Sequence, residues 1–132
     1  MSGNKEHHIA LFGEAEKGEF ETAYVCSSLA ELSYHLGEPP SLECRGLPLA
    51  VQSLLFERRV IYFRVKEEGF SKRDYVTGLQ FLQNRDLFPE ISAICLPGVG
   101  DHEILDAPNP LLDTHRSLLI LSESDLYDYL TA

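Results

Sequence analysis

Residues 8–13 read His-Ile-Ala-Leu-Phe-Gly, a compact apolar run that ends at a glycine. A short run without polar alternation is typical of a strand that is buried on both faces, as the strands of parallel sheets are. Residues 60–65 (Val-Ile-Tyr-Phe-Arg-Val) and 91–96 (Ile-Ser-Ala-Ile-Cys-Leu) have the same character, and residues 117–121 repeat it in a shorter form. These four runs predict the strands of a sheet.

The segments between the runs carry helical signals. Apolar residues over positions 20–36 recur near the 3.6-residue spacing of a helix, and Gly37 ends the pattern. A second helix is expected over residues 47–56, because Pro48 would lie in its first turn, where a missing N–H costs nothing.

Strands that alternate with helices favour a parallel sheet with right-handed crossover connections. We therefore predict a single small three-layer α/β domain over residues 8–132, with a mostly parallel sheet and helices on both of its faces. The arrangement is expected to be Rossmann-like or flavodoxin-like. We expect four strands in this sheet, or five if residues 42–44 add a short strand. Residues 1–7 are expected to form a polar leader.

The charge of the chain argues against two classes of partner. Its formal net charge is −10, with 21 acidic residues against 11 basic ones. A nucleic-acid-binding protein needs Lys and Arg to displace counterions from phosphates, and an anionic membrane surface also attracts positive charge. We therefore expect no nucleic-acid partner and no membrane partner.

The cysteines indicate a reducing compartment. Cys26, Cys44 and Cys95 are widely spaced, form no Cys-x-x-Cys pair and leave at least one thiol free. Residues 1–6 lack the apolar core of a signal peptide, so we expect a cytoplasmic protein. Cys95 with His102 as its base could form a nucleophilic pair, but a cysteine inside an apolar strand is more often an inert packing residue, which is the interpretation we favour.

A ligand site is expected at one edge of the sheet. Open parallel sheets bind ligands outside the carboxyl ends of their strands, where the strand order reverses. The predicted loops 13–19, 66–70, 97–103 and 122–125 reach that edge, and glycines and acids are concentrated in them. No catalytic residue is assigned. The candidate ligand-binding residues are Gly13, Glu14, Lys17 and Gly18 in the first loop, Glu67 and Glu68 in the second, and Gly98, Gly100, Asp101 and His102 in the third.

Some of these candidates have an expected role. The glycines would permit close approach of the backbone, Lys17 would contact an anion, and Asp101 would accept from a hydroxyl or hold a cation. Gly13 and Gly18 are spaced loosely like the glycines of a phosphate-binding loop, but residues 19–20 are Glu-Phe where such a loop has its Lys-Ser/Thr pair. A tight turn with an acidic residue near a helix N-terminus explains the same residues more simply, and we favour this interpretation.

The carboxylates of the four loops offer a magnesium hypothesis, since clustered oxygen ligands can hold Mg²⁺ and orient a phosphoryl group. Acids at such turns are also ordinary helix caps and first-turn residues, and we favour this simpler interpretation. No cofactor and no metal ligand are therefore predicted. The acids concerned are Glu14, Glu67, Glu68, Asp101, Glu103, Glu123 and Asp125.

The second predicted helix is apolar on nearly every side. It begins at Leu47 and reaches Phe56, and a helix of this kind is deeply packed or is covered by a partner. Either the first helix packs over it or another subunit does, and a self-complementary patch usually produces a two-fold dimer. We therefore keep a homo-oligomer formed through this helix as a partner hypothesis.

Three classes of function remain. We expect a noncatalytic interaction or assembly module, because no catalytic constellation is assembled in the sequence. The alternative is a domain that binds a nucleotide or a phosphorylated metabolite at the strand-end edge. A further alternative is a magnesium-dependent phosphoryl-transfer or hydrolytic enzyme.

Overall fold

The computed structural model describes residues 8–84, 86–88, 90–115 and 117–132, with only the backbone described at positions 114 and 115. The expected polar leader, residues 1–7, lies outside the described residues. The elements in chain order are β1 (His8–Gly13), β2 (Ala23–Cys26), α1 (Leu29–Leu36), α2 (Gly46–Leu55), β3 (Arg59–Arg64), α3 (Lys72–Phe81), β4 (Ile91–Cys95), α4 (His102–Asp106), α5 (Asn109–His115), β5 (Leu118–Ile120) and α6 (Glu123–Thr131).

The five strands form one sheet in the order β2-β3-β1-β4-β5. Strand β1 pairs in parallel with β3 on one side and with β4 on the other, so that Ile9 lies between Val60 and Ala93. Strand β5 pairs in parallel with β4, and only β2 runs antiparallel, at the edge beside β3. The apolar runs that predicted the sheet are therefore its parallel strands, and β1 is the central one.

Each face of the sheet is covered by helices, which gives the predicted three-layer α/β architecture of a Rossmann-like or flavodoxin-like domain. On one face α1, α2 and α6 contribute buried residues such as Leu32, Leu54 and Leu126. On the other face the core is built with α3, α4 and α5, and Phe12 of β1 stacks on Phe63 of β3 at 4.7 Å between ring centroids. Residues of β1 therefore enter both cores.

The predicted first helix is wrong in its first half. Residues Ala23–Cys26 form the strand β2, and α1 begins only at Leu29. Ser28 decides this start, because its side-chain oxygen accepts a hydrogen bond from the Glu31 N–H at 3.2 Å and so caps the helix. The fifth strand is β2 and not the one allowed for at residues 42–44, which are irregular and expose Leu42 by 97%.

Helix α2 begins without a side-chain cap, in contrast to α4 and α6. Asp101 caps α4, and Ser122 caps α6, each through its own side-chain oxygen. The residue at the same position of α2 is Arg45, whose side chain makes no capping bond. The free N–H groups at the start of α2 must therefore find an acceptor elsewhere in the fold.

Candidate functional site

The carboxyl ends of β1, β3, β4 and β5 lie at the same edge of the sheet, because the four strands are parallel. The chain leaves β1 toward β3 on one side and later crosses to β4 on the other side. The strand order therefore reverses beside β1, and the space between the ends of β1 and β4 is the crevice in which such sheets place ligands.

The backbone at the end of β1 packs closely against α2 and β3. Gly13 lies against Gly46, the first residue of α2, and against the buried Tyr62 of β3. A Cβ atom placed on Gly13 would lie 2.5 Å from the Tyr62 hydroxyl oxygen and 2.6 Å from the Gly46 Cα. The two glycines thus bring the start of α2 directly onto the end of the central strand.

The carboxylate of Glu68 provides the acceptor that α2 lacks. It lies in the β3–α3 loop (residues 65–71) and accepts from the N–H groups of Arg45 at 2.6 Å and Gly46 at 3.2 Å. It also accepts from the N–H of Glu14 at 3.0 Å. A negative charge at this position stabilises the positive end of the helix dipole, and it occupies the place where a phosphate would bind.

Glu14 in turn accepts a hydrogen bond from the β3–α3 loop. Its carboxylate accepts a hydrogen bond from the N–H of Glu68 at 2.9 Å, and its carbonyl accepts one from the Tyr62 hydroxyl at 3.0 Å. Burial, with the charge of Glu68 adding to it, raises the pKa of Tyr62 well above its usual value. The phenol therefore stays protonated and serves as a donor.

The β3–α3 loop also reaches the third loop of this edge. Gly69 lies against the backbone of Gly98, so closely that a Cβ on Gly69 would overlap the Gly98 carbonyl oxygen. The N–H of Gly69 donates to the Tyr75 hydroxyl at 2.6 Å. The loop that follows β3 thus crosses the end of β1 to meet the loop that follows β4, and it fills the crevice between them.

Four of the ten predicted residues meet in and around this crevice. Gly13, Glu14 and Glu68 are in mutual contact, and Gly98 adjoins them through Gly69. The structure shows how these residues pack against one another. Their role in binding a ligand remains a prediction.

The other predicted residues lie apart from this group. The Lys17 ammonium lies 5.9 Å from the centre of the Tyr34 ring on α1, and the Gly18 carbonyl accepts from Arg64. Glu67 is exposed, and its N–H donates to the hydroxyl of Ser71. Their roles in binding also remain predictions.

The remaining three candidates belong to the start of α4. Gly100 and His102 are exposed, and a Cβ on Gly100 would meet no atom within 4 Å. Asp101 accepts from the Glu103 N–H at 2.7 Å, as expected of a helix cap. The exposed His102 is not paired with the buried Cys95, and burial raises the pKa of that thiol to about 12, which disfavours a nucleophilic thiolate.

An open depression beside the end of β3 was missed by the sequence analysis. Its volume is about 560 Å³. Phe20 lines it together with Arg64 and Lys66, whose charged groups lie 4.4 Å and 5.7 Å from the centre of the Phe20 ring. No local pattern marks this group, because Phe20 is brought to β3 only by the turn into β2. The remaining residues that line it are Glu14, Ala15, Glu16, Glu38, Pro39, Pro40 and Val65.

The described part of the chain lacks two further features. It contains no group of three or more His, Cys, Asp or Glu side chains arranged to hold a metal ion. None of its helices combines the length and the apolar character needed to cross a membrane. Comparisons of the chain with protein-family models, with curated proteins and with solved structures give no match.

Proposed function

We propose that this protein is a noncatalytic interaction or assembly module that forms a homodimer through the outer side of α2. The observation that carries the proposal is the charge distribution. Among the described helices, only α2 has no Asp, Glu, Lys, Arg or His, whereas the chain as a whole carries a net charge of −10.

The inner side of α2 is accounted for within the fold. Leu47, Leu49 and Ala50 are buried on the sheet, and α1 and α6 flank the helix. The sheet and the neighbouring helices thus bury the inner side of α2.

An apolar surface is left over on the outer side. Val51 is 36% exposed, Leu55 65% and Phe56, just beyond the end of α2, 37%. The half-exposed Tyr127 of α6 extends this surface, with its ring centre 6.4 Å from that of Phe56. We call these four residues the α2–α6 surface.

A second copy of the chain fits the α2–α6 surface best. Two copies that each carry ten net negative charges repel one another wherever acidic surfaces meet. Contact across a two-fold axis is favoured where the surface is neutral and apolar, because the same patch is then used on both subunits. Added salt should strengthen such a dimer, since it screens the repulsion and leaves the apolar contact intact.

The filled crevice supports the noncatalytic part of the proposal. Glu68 occupies the anion position at the start of α2, and Gly69 covers the space between β1 and β4. The place where a domain of this architecture usually works on a ligand is therefore used for internal packing.

Light scattering coupled to size exclusion tests the dimer. We expect the wild-type mass to rise from one chain to two with concentration, and to do so more readily at high salt. Leu55→Glu should remain a monomer at every concentration, because it places two further charges in the contact. Leu42→Glu is the matched control: it adds the same charge at a fully exposed leucine in the loop before α2, outside the α2–α6 surface, and this variant should still dimerise. A wild-type protein that stays monomeric throughout would contradict the proposal.

Small-molecule binding at the same edge of the sheet is the second candidate function, and the open depression beside β3 favours it. The structure does not favour the magnesium-dependent alternative, because Glu14 and Glu68 are bonded to backbone N–H groups and Asp101 caps α4.

We also propose a cytoplasmic location. All three cysteines are free and buried, and a reducing compartment keeps such thiols unpaired. Fractionation of cells that make the protein tests this, and recovery from the medium or from a secretory compartment would contradict it.

A further inference from the structure

The positive charge of this acidic chain is concentrated beside β3. Four of the 11 basic residues fall within ten positions of the sequence. The fold gathers them around two depressions of about 560 Å³ and 330 Å³, and Lys66 lines both. The four are Arg64, Lys66, Lys72 and Arg73.

Two of these cations are neutralised and two are not. Lys72 forms an ion pair with Glu103, and Arg73 pairs with Glu21 at 3.7 Å. Arg64 and Lys66 make no ion pair with any carboxylate among the described residues. Both lie over one ring, that of Phe20, and Arg64 is held there by a hydrogen bond of 2.6 Å to the Gly18 carbonyl. Two positive charges without an ion-pair partner among the described residues thus lie at the rim of the larger depression.

The rest of the larger depression has a different chemistry. Ala15, Val65 and two prolines, Pro39 and Pro40, give it an apolar lining. Three glutamates also line it, and the carboxylates of Glu14 and Glu16 already accept hydrogen bonds from the N–H groups of Glu68 and Glu38. The Glu38 side chain is exposed. Carboxylate oxygens accept hydrogen bonds from hydroxyl groups and repel further anions.

We propose that this depression binds a phosphate monoester of a small polyhydroxylated molecule. The phosphate lies against Arg64 and Lys66, the body of the ligand covers the proline lining, and hydroxyl groups donate to Glu38 and Glu16. A phosphate monoester carries close to two negative charges at neutral pH, which equals the number of positive charges on Arg64 and Lys66. The volume lies within the range of sites for metabolites. The inference deepens the second candidate function and does not depend on the dimer.

Titration calorimetry with three probes at fixed ionic strength tests the inference. Ribose 5-phosphate should bind saturably, inorganic phosphate more weakly, and ribose without measurable heat. Lys66→Gln should weaken the binding of ribose 5-phosphate by about tenfold, since it removes one charge-assisted contact. Lys72→Gln is the matched control, because it removes the same charge from a lysine that Glu103 already neutralises, and it should change the affinity by less than about threefold. Glu38→Gln should weaken the binding of ribose 5-phosphate and leave the binding of inorganic phosphate unchanged.

Three results would overturn the inference. They are the absence of saturable binding by either phosphorylated probe, equal losses in Lys66→Gln and Lys72→Gln, and tighter binding of citrate, which would indicate a carboxylate site. Lys66→Arg restores the charge and should restore binding, which separates loss of the contact from misfolding. Light scattering on the same samples reports the dimer separately, so that failure here is distinguishable from failure of the proposed assembly function.

Discussion

The crevice at the end of β1 and the depression beside the end of β3 lie at the same edge of the sheet but differ in every respect that matters for binding. In the crevice, Gly13 and Gly46 touch, and the Glu68 carboxylate is bonded to three N–H groups. In the depression, Arg64 and Lys66 lie over Phe20 without a carboxylate partner among the described residues. The start of α2 thus receives its negative charge from within the chain, whereas the two cations of the depression have no such partner among the described residues.

This difference shows that the topology of a sheet does not tell whether its crevice is open. The strand order identifies the crevice as the usual place for a ligand, but the β3–α3 loop occupies it. The same loop begins at the end of β3, where Arg64 and Lys66 leave uncompensated charge. The chain has therefore closed the central position of its edge and left the neighbouring position open.

The largest expected effect comes from forcing the crevice apart. Gly13→Ala places a Cβ 2.5 Å from the Tyr62 hydroxyl oxygen and should lower the free energy of unfolding by about 3 kcal/mol, measured by urea denaturation. Gly100→Ala is the control, because its Cβ would meet no atom within 4 Å. This substitution should lower the free energy of unfolding by less than about 0.5 kcal/mol. Similar losses in both variants would show that the crevice is not tightly packed.

Removal of the internal anion should have the next largest effect. Glu68→Ala leaves the N–H groups of Glu14, Arg45 and Gly46 without their acceptor, and should lower the free energy of unfolding by about 2 kcal/mol. Glu67→Ala removes the neighbouring, exposed carboxylate and should cost less than about 0.5 kcal/mol. Equal stability of the two variants in thermal and urea unfolding would contradict the role assigned to Glu68.

Alkaline pH should destabilise the folded protein through Tyr62. In the unfolded chain a tyrosine loses its proton near pH ~10, whereas the folded protein holds the Tyr62 proton to higher pH. Above that pH the unfolded state binds fewer protons than the folded state, so the free energy of unfolding falls by about 1.4 kcal/mol per pH unit for this group. Tyr62→Phe should flatten this decline, with Tyr75 accounting for part of the remainder. The check is the urea midpoint followed from neutral to alkaline pH, and identical slopes in the two proteins would contradict the assignment.

The smallest effect is expected in the open depression. Lys66→Gln should change the free energy of unfolding by less than about 0.5 kcal/mol, because the side chain is exposed and makes no ion pair within the described part of the chain. Urea denaturation without phosphate provides the measurement. A loss as large as that of Glu68→Ala would mean that the depression, like the crevice, is held together by its charged residues.

The parallel strands could be predicted from the sequence because they are buried on both faces and contain little but apolar residues. Strand β2 could not. It is an edge strand of four residues that leaves Val25 exposed, and the spacing of Phe20, Ala23 and Tyr24 imitates a helix. A signal for the true helix start was present: Ser28 and Glu31 stand three residues apart, and each bonds to a nearby backbone N–H, as in a capping box.

The site was predictable only in part. The loops could be assigned to one edge of the sheet, and Gly13, Glu14 and Glu68 do meet there. Their bonding could not be anticipated, because Glu68 lies 54 positions from Glu14 and 23 from Arg45. No local rule connects an acid in one loop to the first turn of a helix that lacks its own cap. The depression was missed for the same reason, since it depends on the position of Phe20.

The central position of β1 has a consequence for the order of folding. Strand β1 is the first to leave the ribosome, yet its two neighbours are β3 and β4, whose first residues are Arg59 and Ile91. Strand β2 pairs only with β3 among the described strands. The nascent chain therefore offers β1, which is buried along most of its length, no partner among the described strands until β3 has been synthesised. We expect slow folding and a tendency to aggregate when translation is interrupted before that point.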